Sequence, residues 1–203
     1  ECFREAQALT LDRAPSYGIT TYFEAGVGAG TTSDDAEPVY ADFIERDKAG
    51  KLDVRIAGTY WTRSESDGVG KVTAALVDWN ERLRSEHVSI AHCKMWADGT
   101  LFSGGALLLQ PSCGSHGSVG RMTFGVDYIA AQVKAVQEAG FDMHVHVDAD
   151  AALGNGLSRH VRADLYGSPR RRSGGGTSFP IWRPRAQWCR GHLRSRPPWS
   201  RCR

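Results

Sequence analysis

Residues 141–151 read Phe-Asp-Met-His-Val-His-Val-Asp-Ala-Asp-Ala, and this alternation constrains the fold more than any other stretch of the chain. Along a strand, successive side chains point to opposite faces. Phe141, Met143, Val145 and Val147 therefore share one face, and Asp142, His144, His146 and Asp148 share the other. A parallel α/β barrel needs such a strand at a metal-binding mouth: an apolar face for helices to cover, and imidazoles and carboxylates on the other. A surface strand with a polar face has the same spacing, so the rest of the chain has to decide.

Strand and helix patterns alternate before this segment. Strands are expected near residues 18–23, 53–61, 88–96 and 141–147, where β-branched and aromatic residues gather. Helical periodicity is expected over 2–16, 37–49, 71–84 and 128–139, with a further helix beginning near 149–153. Pro38 sits in a first turn, Gly50 and Gly140 follow helix ends, and Asp127 is placed to cap the helix after it. A long Gly- and Ser-rich loop runs over 97–120. This alternation predicts a parallel α/β fold. A doubly wound sheet would alternate in the same way. Chemistry at the C-terminal ends of successive strands favours a partial TIM-type (β/α)8 barrel, with about four of the eight strands a complete barrel has.

The net charge of +2 hides two different polymers. Residues 1–156 hold 13 Lys+Arg against 22 Asp+Glu, whereas residues 157–203 hold 12 Arg, no Lys and a single acid, Asp164. The barrel portion is therefore assigned to 1–156, and 157–203 to an irregular Arg/Pro-rich tail. Five prolines, three tryptophans and the run Pro169-Arg-Arg-Arg172 give the tail no amphipathic face, so it is expected to pack poorly. Arg, Pro, Trp, Cys and Gly without Lys is what an out-of-frame reading of a GC-rich coding region yields. Nucleic-acid binding through those arginines is a competing reading. The acidic body and the absence of a nucleic-acid motif weigh against it.

At 203 residues the chain is long enough for one domain with a real core. It has no run of about 18 apolar residues, so no membrane span is expected. It opens on Glu1-Cys-Phe-Arg-Glu5, without an initiator Met and without a visible signal peptide. Cys2, Cys93, Cys113, Cys189 and Cys202 are odd in number and scattered. They read as reduced thiols of a cytoplasmic protein. No feature sets an oligomeric state.

The segment Val88-Ser-Ile-Ala-His-Cys-Lys-Met-Trp96 puts His92 and Lys94 on one face of a strand. A lysine inside an apolar strand is costly unless it snorkels, pairs or is chemically altered. Lys94-Met-Trp-Ala-Asp-Gly99, then Gly105-Ala106 and Pro111, then His146-x-x-x-Asp150-x-Ala152, together resemble amidohydrolase family 3, which includes the N-substituted formamide deformylase-like enzymes. Tyr17-Gly-Ile-Thr-Thr21 and Leu52-Asp-Val-Arg55 are similar to that family's leads into earlier strands, so the resemblance covers about 1–156.

The resemblance implies a metal-dependent hydrolase on a (β/α)8 barrel, acting on the C–N bond of a small amide or formamide substrate. It implies Lys94 and His146 as ligands of a divalent metal, zinc by preference, with Lys94 carboxylated to a carbamate. Asp98 and Asp150 would orient ligands or substrate from behind. No catalytic residue is assigned. Departures fall in the substrate loops, where the family's Thr, Tyr, Gly and Arg are Gly105, Ser112, Ala149 and Ala151. The family's first-strand His-x-His pair has no counterpart before residue 144, and nothing in 157–203 resembles its later histidine and catalytic aspartate. This chain is therefore expected to be an incomplete, inactive barrel fragment.

Other motifs carry less. Gly26-Val-Gly-Ala-Gly-Thr31 lacks the pattern of a phosphate loop and reads as a flexible turn. Cys93 and His92 face opposite ways on a strand, which disfavours a Cys–His dyad. Cys113 and His116 fall together in a loop by chance. The barrel reading expects Lys94 and His146 to end neighbouring strands at one mouth, with His144 deeper on the same side and not a primary ligand.

Overall fold

The computed structural model describes residues 2–27, 36–111 and 117–157. The tail assigned to 157–203 lies outside them beyond its first residue, as do Gly28, Gly30, Cys113 and His116. Four parallel strands form one sheet: β1 (Thr21–Phe23), β2 (Arg55–Trp61), β3 (Val88–Trp96) and β4 (Asp142–His146). Their spatial order is β1-β2-β3-β4. A doubly wound sheet reverses its strand order near the middle. A strictly sequential order is that of a barrel wall. Residues 18–20 and 53–54, expected as strand, lie outside the pairing, which begins at Thr21↔Arg55.

Helices follow the apolar spacing. In α2 (Glu37–Lys48) Tyr40, Phe43 and Ile44 are buried. In α3 (Val69–Arg82) Val72, Leu76 and Trp79 recur at helical intervals on one buried stripe. In α4 (Val126–Glu138) Ile129, Val133 and Val136 do the same. The N-terminal helix α1 (Cys2–Arg13) stops earlier than the expected residue 16. A 3-10 turn, Ala14–Tyr17, takes over at Pro15 and closes on left-handed Gly18. The N-cap of α4 is Gly125, not Asp127, which lies in the first turn. There its charge still complements the helix dipole. The Gly125 N–H is held by the Glu65 carboxylate.

Two polar contacts pin the layers. Asp47, near the end of α2, accepts the His87 backbone N–H at 2.8 Å and meets its Nδ1 at 2.7 Å, fixing the entry of β3. In β2 the register shifts between Gly58 and Thr59. The Tyr40 hydroxyl donates to the Thr59 carbonyl at 3.0 Å and accepts from the Thr59 N–H at 2.8 Å. One buried phenol thus serves both backbone groups at the irregularity, and burial pushes its pKa up to about 12. Gly58 is needed beside it. A Cβ there would come within 2.5 Å of both Ile90 Cδ1 and Tyr40 Cε1.

Overpacking so close a contact typically costs about 1–3 kcal/mol. Gly58→Ala should lower unfolding stability by about that amount, and Tyr40→Phe by a similar one through the unpaired Thr59 groups. Urea unfolding of the two variants checks this. Unchanged midpoints in both would mean that the shift in β2 needs neither residue.

Candidate functional site

The faces of the sheet alternate as the strand pattern requires. Cys93, Met95 and Ala97 turn to the helices and are fully buried, with Met143, Val145 and Val147 packed beside them. On the opposite face the β3–β4 register seats Lys94 opposite His144, Trp96 opposite His146, and His92 opposite Asp142. The Lys94 ammonium nitrogen lies 3.4 Å from His144 Nε2. Lys94 is 5% exposed and makes no ion pair with a carboxylate among the described residues. Phe23 of β1 leans over the group, its ring centroid 4.8 Å from His92 and 5.2 Å from His144.

Burial disfavours the charged forms here. It lowers the Lys94 pKa, and it lowers that of His92 against the pull of Asp142. His144 falls to about 4, through burial first and then the neighbouring Lys94 charge. At neutral pH His144 is therefore an uncharged imidazole, the form that binds metals. Among the described residues its buried Nδ1 has no hydrogen-bond partner. The Cys93 thiol, on the other face, meets Thr62 Oγ1 at 3.4 Å and is pushed up to about 11 by burial. It takes no part in this group.

His146 occupies the next step towards the strand ends. Its ring lies over Trp96 at 5.0 Å, and Trp96 stacks on Trp61 at 5.5 Å. Its Nε2 is 3.4 Å from Asp148 Oδ1. Arg63 covers the Trp61 ring at 3.8 Å. Gly26, at φ 140°, brings the chain after β1 close to this wall. A Cβ there would sit 3.3 Å from Trp61 Cε3 and 3.8 Å from Lys94 Cγ. The glycine that reads as a plain turn thus lets β1 approach the lysine.

Asp98 and Asp150 both hold backbone N–H groups of the loops after β3 and β4. The fully buried Asp98 carboxylate accepts the Leu107 and Ala149 N–H groups through Oδ2 at 3.0 and 3.2 Å, and the Asp148 N–H through Oδ1 at 3.0 Å. It ties the loop after β3 to the turn after β4. Asp150 accepts the Leu109 N–H at 2.9 Å and that of Ala151 at 2.9 Å. It opens a short helical segment that continues as the π-helical Ala152–Leu157.

A family model described as "Amidohydrolase family" matches residues 1–175. The chain belongs to the amidohydrolase family. No curated protein matches it. Two solved structures share the fold. An uncharacterized metal-dependent hydrolase from Pyrococcus horikoshii OT3 is 15% identical with a TM-score of 0.54, covering 74% of this chain and 28% of its own. One from Pyrococcus furiosus is 17% identical with a TM-score of 0.57, covering 80% of this chain and 31% of its own. The amidohydrolase sheet described here is thus half of an α/β barrel, and the chain spans less than a third of either neighbour's length.

The donors of this amidohydrolase fit a metal in kind. His144 is a neutral imidazole with an unpartnered buried nitrogen, and Lys94 is a depressed amine without a counter-charge. They fall short in number. Among the described residues no group of three His, Cys, Asp or Glu side chains is placed to hold an ion. The lysine's immediate neighbour is His144, and His146 stands one register step further along the strand. The reason is parallel pairing, which sets residues side by side by register and not by their rank in a motif. Phe23, Trp61, Trp96 and Gly26 complete the wall. Their strand parity was readable, but their contacts across strands were not.

Removing the Asp98 carboxylate leaves three N–H groups without their acceptor. Asp98→Ala should cost about 3 kcal/mol, and Asp98→Asn, which keeps one acceptor oxygen, about half as much. Chemical denaturation checks the ranking. Equal stability of wild type and both variants would show that the loops hold without it.

Proposed function

We propose that this chain carries part of the active site of a metal-dependent hydrolase that cleaves the C–N bond of a small amide or formamide. The observation that supports this reading best is Lys94, a buried lysine with no carboxylate partner among the described residues, 3.4 Å from an imidazole at the strand ends of a half-barrel. A structural lysine would be expected to pair or to reach solvent. Burial disfavours the charged form of Lys94, and in its neutral form the amine can add carbon dioxide with loss of a proton to give a carbamate, whose anionic oxygens are metal donors.

In this reading Lys94, as the carbamate, and His146 hold a divalent ion, with zinc the best match to mixed nitrogen and oxygen donors. A bound divalent ion lowers the pKa of its water towards about 7 and polarises an amide carbonyl. The protein's own residues do the rest. His144, neutral at working pH, accepts from or donates to the Lys94 nitrogen and fixes where it stands. Trp96 holds the plane of the His146 ring, and Asp148 faces its Nε2. Asp98 and Asp150 hold the two loops that border the mouth. Three-donor coordination is not met by the described residues, so we propose that the chain by itself is inactive. A cytoplasmic setting accords with its scattered cysteines and with Cys93 as a buried free thiol. Among the described residues no helix is long and apolar enough to cross a membrane.

Titrating the full chain with cobalt(II) in bicarbonate buffer, followed by visible absorption, tests the assignment. The wild-type chain should bind, and Lys94→Ala and His146→Ala should each weaken binding at least about tenfold, the scale on which even residues supporting a ligand matter. Binding that is absent from the wild type, or equal in all three, overturns it.

A further inference from the structure

On the helix side of the sheet a cavity of ≈ 360 Å³ lies between α1, α2 and the first two strands. Tyr22 and Glu24 line it, while Phe23 between them points to His92 and His144. Strand alternation therefore separates this cavity from the Lys94 group by the thickness of the sheet. Its apolar wall is built by Leu11 of α1, Val39 and Phe43 of α2, and Ile56 of β2. Cavities of about 300–1,000 Å³ with apolar walls and a few polar groups are the usual form of a small-molecule site.

Four polar residues complete the wall, and together they specify a charge. Gln7 turns only carbon to the cavity, because both its amide atoms are shielded from water. The Thr10 hydroxyl donates to the Ala6 carbonyl at 2.9 Å, so towards the cavity it can only accept. The Tyr22 phenol can accept as well as donate. Glu24 is half-buried, and its Oε1 accepts the Gly26 N–H at 3.0 Å. Its Oε2 has no partner among the described residues and is not shut off from water as the Gln7 amide is. Among the described residues no Lys or Arg lines the cavity. The wall thus offers one negative charge and hydroxyl acceptors beside an apolar surface.

We propose that this cavity binds a primary alkylammonium ion, with its chain against Leu11, Val39, Phe43 and Ile56 and its charge on Glu24. A primary alkylamine, like a lysine side chain, is protonated at neutral pH. Its three N–H groups are all donors, which is what a wall of acceptors leaves unmet. The open Glu24 oxygen takes the first, in a charge-assisted bond beside a surface of low polarity, where such bonds are stronger than in open water. The chain gains by covering apolar wall that water otherwise wets. A carboxylate of the same length would set its charge against that of Glu24 and is rejected. An alcohol of the same length keeps the chain contacts but has one donor and no charge, so it binds less tightly.

Isothermal titration of the full 203-residue chain with hexylammonium, butylammonium, hexanol and hexanoate at neutral pH tests this. Hexylammonium should bind saturably. Butylammonium should bind about tenfold more weakly, the loss expected for two buried methylenes. Hexanoate should bind at least about tenfold more weakly than hexylammonium, because it meets a like charge. Glu24→Gln keeps an acceptor for the Gly26 N–H and removes the charge. It should weaken hexylammonium about fivefold, the scale of a partly exposed ion pair, and leave hexanol unchanged. Circular dichroism shows whether this variant keeps the wild-type fold, and the ligand series on the wild type needs no variant. No saturable binding of hexylammonium, hexanoate bound as tightly as hexylammonium, or a folded Glu24→Gln chain that binds hexylammonium like the wild type overturns the proposal. The Lys94 reading stands or falls on cobalt binding at the opposite face, so the two results are independent.

Discussion

The site depends on one buried carboxylate. Asp98 follows β3 directly and collects N–H groups from Leu107, Asp148 and Ala149. Two of these follow β4, and the third lies in the long loop between β3 and α4. Hydrogen bonds to a charged acceptor in a buried setting are among the stronger ones a protein makes. Three of them on one residue fix how far the ends of β3 and β4 stand apart. Lys94 and His146 sit on those two ends, so the distance across the mouth is set from behind by Asp98. The Ala97 N–H to His146 carbonyl bond at 2.9 Å extends the same tie along the backbone.

The inner face then follows from charge and burial. A sheet covered by helices on one face leaves the other for whatever fills the barrel. Here that face holds Lys94, His92 and His144 close together, without a carboxylate on the lysine among the described residues. Burial disfavours the charged form of each, and the nearest charge to His144 is another cation. The result is a set of nitrogen groups whose charged forms burial disfavours, with Phe23 against His92 and His144. Such a set is a poor way to stabilise a fold and a suitable way to meet a metal or a reactive carbonyl.

The opposite face obeys different physics. There the aliphatic and aromatic residues of α2, α3 and α4 close over Ile90, Cys93 and Met95. At the irregularity of β2 the single hydroxyl of Tyr40 serves both groups of Thr59. Gln132, fully buried on α4, donates through Nε2 to Thr73 Oγ1 at 3.3 Å, and among the described residues its Oε1 has no partner.

Alternation in 141–147 and in 88–96 was enough to place Lys94, His92, His144 and His146 on one face, because side-chain direction in a strand has a fixed period of two. The order of strands and helices, and hence the parallel architecture, came from apolar spacing that any helix or strand must obey to bury one side. Asp98 and Asp150 were visible only as carboxylates near the strand ends, since a loop or cap aspartate looks the same in sequence. The tertiary structure decided what they do, because the N–H groups that Asp98 accepts lie 9 to 51 residues away. It also decided that Lys94 meets His144 before His146, and that Gly26 makes room against Trp61. Register and close approach depend on how separate strands pair and pack, and no local pattern carries that information.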